Sequence, residues 1–185
     1  MNSLAVLAAL DTVGVDIRLG CRSLERFEAA AGRGARIEYR LQNRNTTFID
    51  ESYNANPLSM AAALNAMWQP TVFSPGVRRI AVLGDMRELG DQSARLHREL
   101  LGPVTAANVD KVFACGPFMR ELYDVLPQAL RGAYAETSTG LIGPILAAIA
   151  PGDVIMVKGS LGTRMAPIVD ALKAHLAKLA GPNHH

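Results

Sequence analysis

IDESYNANPLSMAAAL, residues 49–64, is the stretch that decides the fold. A β-branched, apolar run (TTFID, 46–50) stops at two carboxylates, Asp50 and Glu51, and a polar knot of Ser52, Asn54 and Asn56 follows. Pro57 then opens an alanine-rich segment. Asn before Pro is a helix start: the Asn side chain accepts from free N–H groups of the first turn, and Pro needs no donor at the first helical position. A strand therefore hands over to a helix here. Capping accounts for Asn56 but not for Asp50, Glu51, Ser52 and Asn54 together. A solvated turn fits that group about as well as a binding loop. In a binding loop, the carboxylates accept from sugar hydroxyls or hold a metal-linked water, and the Asn side chains stand beside a phosphate or a base.

Outward from this stretch the same grammar repeats. RIEYRL (36–41) alternates and predicts a half-exposed strand, joined through a turn at NRN (43–45) to 46–50 as a hairpin. Further strands are expected at 79–83, 111–115, 132–135 (weak) and 153–158, and helices at 57–68, 91–101 or a little longer, 117–126, 138–149 and about 163–179. Short apolar strands separated by helices predict an α/β, Rossmann-like domain: a mostly parallel sheet with helices on both faces, from residue 32 to 185. Residues 1–31 read as a helical remnant of another domain, with helices at 3–14 and near 22–30, the second starting at Arg22 or Ser23. AAGRGAR (30–36) marks a hinge or linker.

In open α/β sheets ligands sit outside the carboxyl ends of the strands, which singles out loops 50–57, 84–91, 115–118 and 158–163. In VLGDMRELG (82–90), Gly84 turns the chain, Asp85 sits at the strand tip and Gly90 ends a single helical turn. His97, in RLHREL, reads as a surface or partly buried helix residue. In VKGSLGTRM (157–165), Gly159 and Gly162 permit a tight loop whose amides face an anion, with Lys158 and Arg164 adding positive charge. A glycine turn with solvated cations fits those residues equally well. The sequence has no Walker-type phosphate loop.

Composition excludes several classes. Net charge is +2 without a dense basic run, and aromatics are 5%, which argues against nucleic acid. Cys21 and Cys115 form no CxxC pair and read as buried or half-buried thiols in a reducing compartment. The four histidines make no metal pattern, and terminal His184 and His185 are set aside from the site. MNSLAVLAAL lacks a basic start and a cleavage site and is too short to span a bilayer, so a cytoplasmic protein is expected, with no membrane partner.

Taken in order and spacing, IDESYNANPLSMAAAL, RRIAVLGDMRELG, His97 and GDVIMVKGSLGTRM resemble the C-terminal domain of the Mur ligase family. The resemblance is to the branch that joins D-alanyl-D-alanine to UDP-N-acetylmuramoyl-tripeptide in peptidoglycan synthesis. SYNANPLSM (52–60) is the most specific of these motifs. NSLAVLAAL looks like the end of the family's central ATP-binding domain, and Gly32–Arg33 like its interdomain Gly-Arg. The resemblance implies that the chain corresponds to about the final two-fifths of such an enzyme.

By that resemblance, Asn2 lies near the adenine, Arg33 reaches the nucleotide when the domains close, and Asp50 and Glu51 meet the ribose. Glu51 stands where the family usually has Asp. Asn54 and Asn56 border the ATP. Asp85, Lys158, Ser160 and Arg164 belong to loops on the acceptor side. The implied chemistry is ATP-dependent amide ligation through an acyl phosphate, with Mg²⁺ on the phosphates, and both cofactors held mainly by N-terminal and central domains that this sequence lacks. No catalytic residue and no metal ligand is assigned, and the chain alone is expected to be inactive. The alternative is a stand-alone, non-catalytic α/β module that binds a nucleotide or a partner. The apolar helices of 1–31, which would need a missing neighbour, favour the first reading.

Overall fold

A computed structural model describes residues 3–25, 31–67 and 76–181. It divides into two compact units, Met1–Ala30 and Ala31–His185. In the first, α1 (Ser3–Thr12) is followed by α2 (Ile17–Glu25). The second helix begins upstream of the expected 22–30, because the Asp16 carboxylate accepts from the Arg18 N–H at 2.9 Å and caps it there. Arg22 and Ser23 thus lie late in the helix, and 26–30 fall outside the described residues. Two short helices bury little: Val13 and Leu19 are 73% and 57% exposed.

The second unit is a six-stranded sheet in the order β1-β2-β6-β3-β4-β5. Its strands are β1 (Ala35–Leu41), β2 (Arg44–Glu51), β3 (Arg79–Gly84), β4 (Lys111–Cys115), β5 (Arg131–Ala135) and β6 (Val154–Lys158). Only β1 runs antiparallel, paired to β2 as the hairpin expected; the other neighbours are parallel. The turn is Gln42–Asn43, one residue earlier than NRN, with both residues at positive φ (46° and 63°). That is the two-residue turn whose twist matches a hairpin, and it leaves Arg44 and Asn45 inside β2, opposite Leu41 and Arg40.

Alternation along the strands sorts the core into two layers. Ala81 and Leu83 of β3, Ile49 of β2 and Met156 of β6 face one side. There they meet Met60 and Leu64 of α3 (Pro57–Ala66), Val104 of α5 (Leu101–Ala106) and Leu122 of α6 (Met119–Val125). Ile80, Val82, Phe48 and Ile155 face the other side, against α7 (Ser138–Ala148) and α8 (Ala166–Ala180). Burying one such side chain as fully as Leu64 contributes about 2–3 kcal/mol.

Three helix boundaries differ from expectation for local reasons. The helix of 91–101 is instead two, α4 (Ser93–Glu99) and α5, because Pro103 has no N–H for the Glu99 carbonyl and would clash with it. The last helix begins at Ala166 rather than 163, because Arg164 is left-handed (φ 53°) after a short 3₁₀ turn over Leu161–Thr163. Gly90 begins a 3₁₀ turn, Gly90–Gln92, rather than ending a helical one.

Candidate functional site

The carboxyl ends of β2, β3, β4 and β6 bring together loops 50–57, 84–91, 115–118 and 158–163. Asp50 is buried at the end of β2. One carboxylate oxygen accepts from the Ser52 N–H (3.2 Å) and hydroxyl (2.6 Å), a turn made by the side chain itself; the other lies 3.4 Å from Lys173 Nζ of α8. Asn54 Oδ1 accepts from the Ala55 N–H at 2.8 Å. Asn56 caps α3 as expected: its Oδ1 accepts from Ser59 N–H at 2.8 Å and Ser59 Oγ accepts from Asn56 N–H at 3.0 Å.

Lys158 does not offer its charge to the loop. It is the last residue of β6, in register with Glu51 of the neighbouring β2, and its ammonium is buried. Nζ donates to the Asn54 carbonyl at 2.8 Å and sits 3.5 Å from Glu51 Oε2, whose side chain is 31% exposed. Burial pushes the Lys158 pKa below its ordinary value, against the opposing pull of Glu51. Lys158 is a brace between strand ends, and the solvent-facing member of the pair is Glu51.

Asp85 and Ser160 are likewise buried. The Asp85 carboxylate accepts from the Met119 N–H at 2.8 Å and from the Phe118 amide, in a loop where a Cβ on Gly116 (φ 110°) would overlap it. Burial holds this carboxyl above the usual range, with the two amides acting the other way. Ser160 Oγ accepts from the Arg87 N–H at 2.9 Å and donates to the Ala55 carbonyl at 3.3 Å, while its own N–H donates to the Asp85 carbonyl at 3.0 Å. One serine thus ties the loops after β2, β3 and β6.

His97 is fully buried, not a surface or partly buried residue. Its Nε2 accepts from the Met86 N–H at 2.9 Å, which leaves Nδ1 to donate to the Ser93 carbonyl at 2.6 Å and defines a neutral tautomer. It holds the GDM loop. Cys115 is buried, its thiol pushed up to about 11 by burial. Cys21 is exposed, contrary to expectation, because α2 belongs to a unit with little core.

At this edge a cleft of about 230 Å³ is lined by Gly32, Asp50, Tyr53, Leu161, Arg164 and Lys173, among others. Arg164 therefore lines this cleft. Arg33 places its guanidinium 4.0 Å over the Tyr53 ring. Asn2 lies outside the described residues. Tyr53 and Lys173 were not legible as cleft-lining residues: Lys173 is far along α8 with no local motif, and Tyr53 is met by Arg33 only in the folded chain. Among the described residues no group of three or more His, Cys, Asp or Glu side chains is placed to hold a metal ion. No described helix is long and apolar enough to cross a membrane.

A mostly parallel sheet with one antiparallel edge hairpin, and a polar rim built from SYNAN, GDMRELG and KGS loops, defines the class: a Mur ligase C-terminal domain. Residues 35–161 match the family model described as Mur ligase, glutamate ligase domain, and the chain belongs to that family. Within it, the chain is similar to the UDP-N-acetylmuramoyl-tripeptide–D-alanyl-D-alanine ligase of Rickettsia prowazekii, 32% identical over 169 residues, covering 91% of this chain and 36% of that protein. A crystal structure of MurF from Acinetobacter baumannii superposes with a TM-score of 0.76 at 27% identity, over 94% of this chain and 37% of that one. The fold is shared also with MurF ligase from Thermotoga maritima in complex with ADP (TM-score 0.73, 22% identity, 93% of this chain and 37% of that one). The chain thus spans little more than a third of these relatives.

Proposed function

We propose that this chain is the C-terminal part of an ATP-dependent ligase that adds D-alanyl-D-alanine to UDP-N-acetylmuramoyl-tripeptide in the cytoplasm, and that residues 1–31 are the end of its central ATP-binding domain. The observation that carries this is its similarity, along more than nine-tenths of its length, to ligases of that name. The cleft and its rim supply what a closing lid needs. Arg164 brings positive charge to the cleft, Arg33 lies over its lining residue Tyr53, Glu51 keeps a part-exposed carboxylate for hydroxyl groups, and Asn54 follows Tyr53 in the same loop. Asp85, Ser160 and Lys158 act indirectly, by fixing the loops. A lid that closes over a carboxylate activated as an acyl phosphate would keep water from it and orient the incoming amine. Mg²⁺ would arrive with the nucleotide.

The test has two arms. The purified chain, given MgATP, UDP-N-acetylmuramoyl-tripeptide and D-alanyl-D-alanine, is expected to form no product. The same chain joined in frame to the amino-terminal two-thirds of the Rickettsia prowazekii relative is expected to restore ligation. Product from the chain alone, or a folded but inactive fusion, would refute the reading.

A further inference from the structure

Gly32–Arg33–Gly34, expected as a hinge or linker, is bonded to the end of β2. Tyr53 N–H donates to the Gly32 carbonyl at 3.0 Å and Gly34 N–H donates to the Asp50 carbonyl at 2.8 Å. Both glycines have positive φ (74° and 88°), and a Cβ would stand 2.9 Å from Tyr53 N at Gly32 and 2.9 Å from Glu51 Oε1 at Gly34. The segment therefore requires glycine twice and leaves Arg33 projecting between two pinned points.

The charge arrangement around it is unequal. Asp50 and Glu51 are the carboxylates next to this segment, and each already has a lysine: Lys173 at 3.4 Å and Lys158 at 3.5 Å. Arg33 has no carboxylate within 4.0 Å among the described residues; its recorded partner is the face of Tyr53. Tyr53 lines the cleft, while Arg33 does not. An exposed guanidinium stacked on an aromatic face keeps its charge and its in-plane N–H donors uncommitted.

We propose that Tyr53 is a positioning residue that holds Arg33 at the rim of the cleft, away from Asp50 and Glu51, so that the guanidinium meets the polyphosphate of a nucleotide as a preset cation. The ligand half of this rests on the ligase reading above; the perch itself does not. Without the ring, the flexible arginine would collapse onto the Glu51 carboxylate, and a bound anion would have to break that pair first.

The experiment uses the chain as it is, with arginine side chains labelled for NMR and the Arg33 signal assigned by its loss in Arg33→Gln. In the wild type the Arg33 Nε–H and δ-methylene resonances are expected upfield, from the ring current of Tyr53. Tyr53→Phe should retain this shift and Tyr53→Leu should abolish it. Because Tyr53 is 46% exposed, Tyr53→Leu is expected to fold, which its backbone amide spectrum verifies. Titration with MgADP, carried out on the in-frame fusion described above because it supplies the amino-terminal nucleotide-holding part, should move the Arg33 signals, with binding weakened about two- to fivefold in Tyr53→Leu and unchanged in Tyr53→Phe. Unshifted Arg33 resonances in the wild type, or full affinity in Tyr53→Leu, would overturn the proposal. An intact ring-current shift with no response to MgADP would support the perch and overturn the nucleotide reading.

Discussion

Lys158 and Glu51 form a pair whose two members are unequally buried, so deleting one is not equivalent to deleting the other. The ammonium is 3% exposed and the carboxylate 31%. Lys158→Met keeps most of the buried stem and removes the charge. It forfeits the hydrogen bond to the Asn54 carbonyl, worth about 1.5–3 kcal/mol for a charged donor, but also ends the desolvation of the ammonium, which outweighs the pull of Glu51 in setting its pKa. Glu51, a third exposed, rehydrates. The net loss is expected near 1 kcal/mol, at the lower edge of these opposing effects. Glu51→Gln does the reverse. It leaves a buried ammonium with a neutral neighbour, and should cost about 2 kcal/mol, below the 3–5 of a fully buried broken pair because the amide oxygen still accepts.

The assay is urea unfolding followed by far-UV circular dichroism, with the denaturant slope compared across variants. The pH dependence supplies an independent sign. The folded pKa of Lys158 lies below that of the unfolded chain, so between the two values the unfolded state binds more protons and stability rises with pH. Stability of the wild type relative to Lys158→Met should therefore grow as pH rises from neutrality toward the ordinary lysine value, about 10.4. A larger loss for Lys158→Met than for Glu51→Gln, or a difference independent of pH, would refute this account of the pair.

Further outcomes follow from the core and the loops. Leu64→Ala, at a fully buried position of α3, should cost about 2–5 kcal/mol in the same unfolding assay. Asn56→Ala removes one arm of the capping box and should cost about 1 kcal/mol, with faster amide exchange confined to the first turn of α3. Gly116→Ala forces a Cβ into the Asp85 carboxylate at a φ of 110° and should cost at least about 2 kcal/mol. The raised Asp85 pKa means the folded state binds the extra proton; that contribution is present below the unfolded value and lost as pH rises through the folded one. Asp85→Asn should accordingly remove that fall, so its stability relative to wild type grows as pH rises through the folded Asp85 value, while the carboxamide oxygen keeps the Met119 N–H bond.

The strands, most helices and the strand-to-helix handover at Asn56 were legible because each depends on neighbours in the chain: β-branched runs, helical spacing, a cap before a proline. The loops 50–57, 84–91 and 158–163 were legible as a set because topology sends all strand ends of a parallel sheet to one side. The boundaries that shifted had local causes, Asp16 before α2 and Pro103 between α4 and α5, which a single-residue reading of propensity underweights. Lys158, Asp85, Ser160 and His97 were read for chemistry or for surface, yet each is buried and hydrogen-bonded inside the domain. A lysine, an aspartate or a histidine carries no mark in sequence that tells a solvent-facing charge from an internal brace. That depends on which strand is central, and β6 becomes central only by inserting between β2 and β3. The same holds for Arg33: its sequence neighbours announce a flexible turn, but two backbone hydrogen bonds to residues about 20 positions away pin it, and the aromatic face that carries it belongs to another loop. Sequence alone determined the family, the sheet and the edge where its polar loops gather, because those follow from short-range patterns. Tertiary structure decided which polar residues face that edge and which hold it in place, because burial and long-range pairing exist only once the strands have found their order.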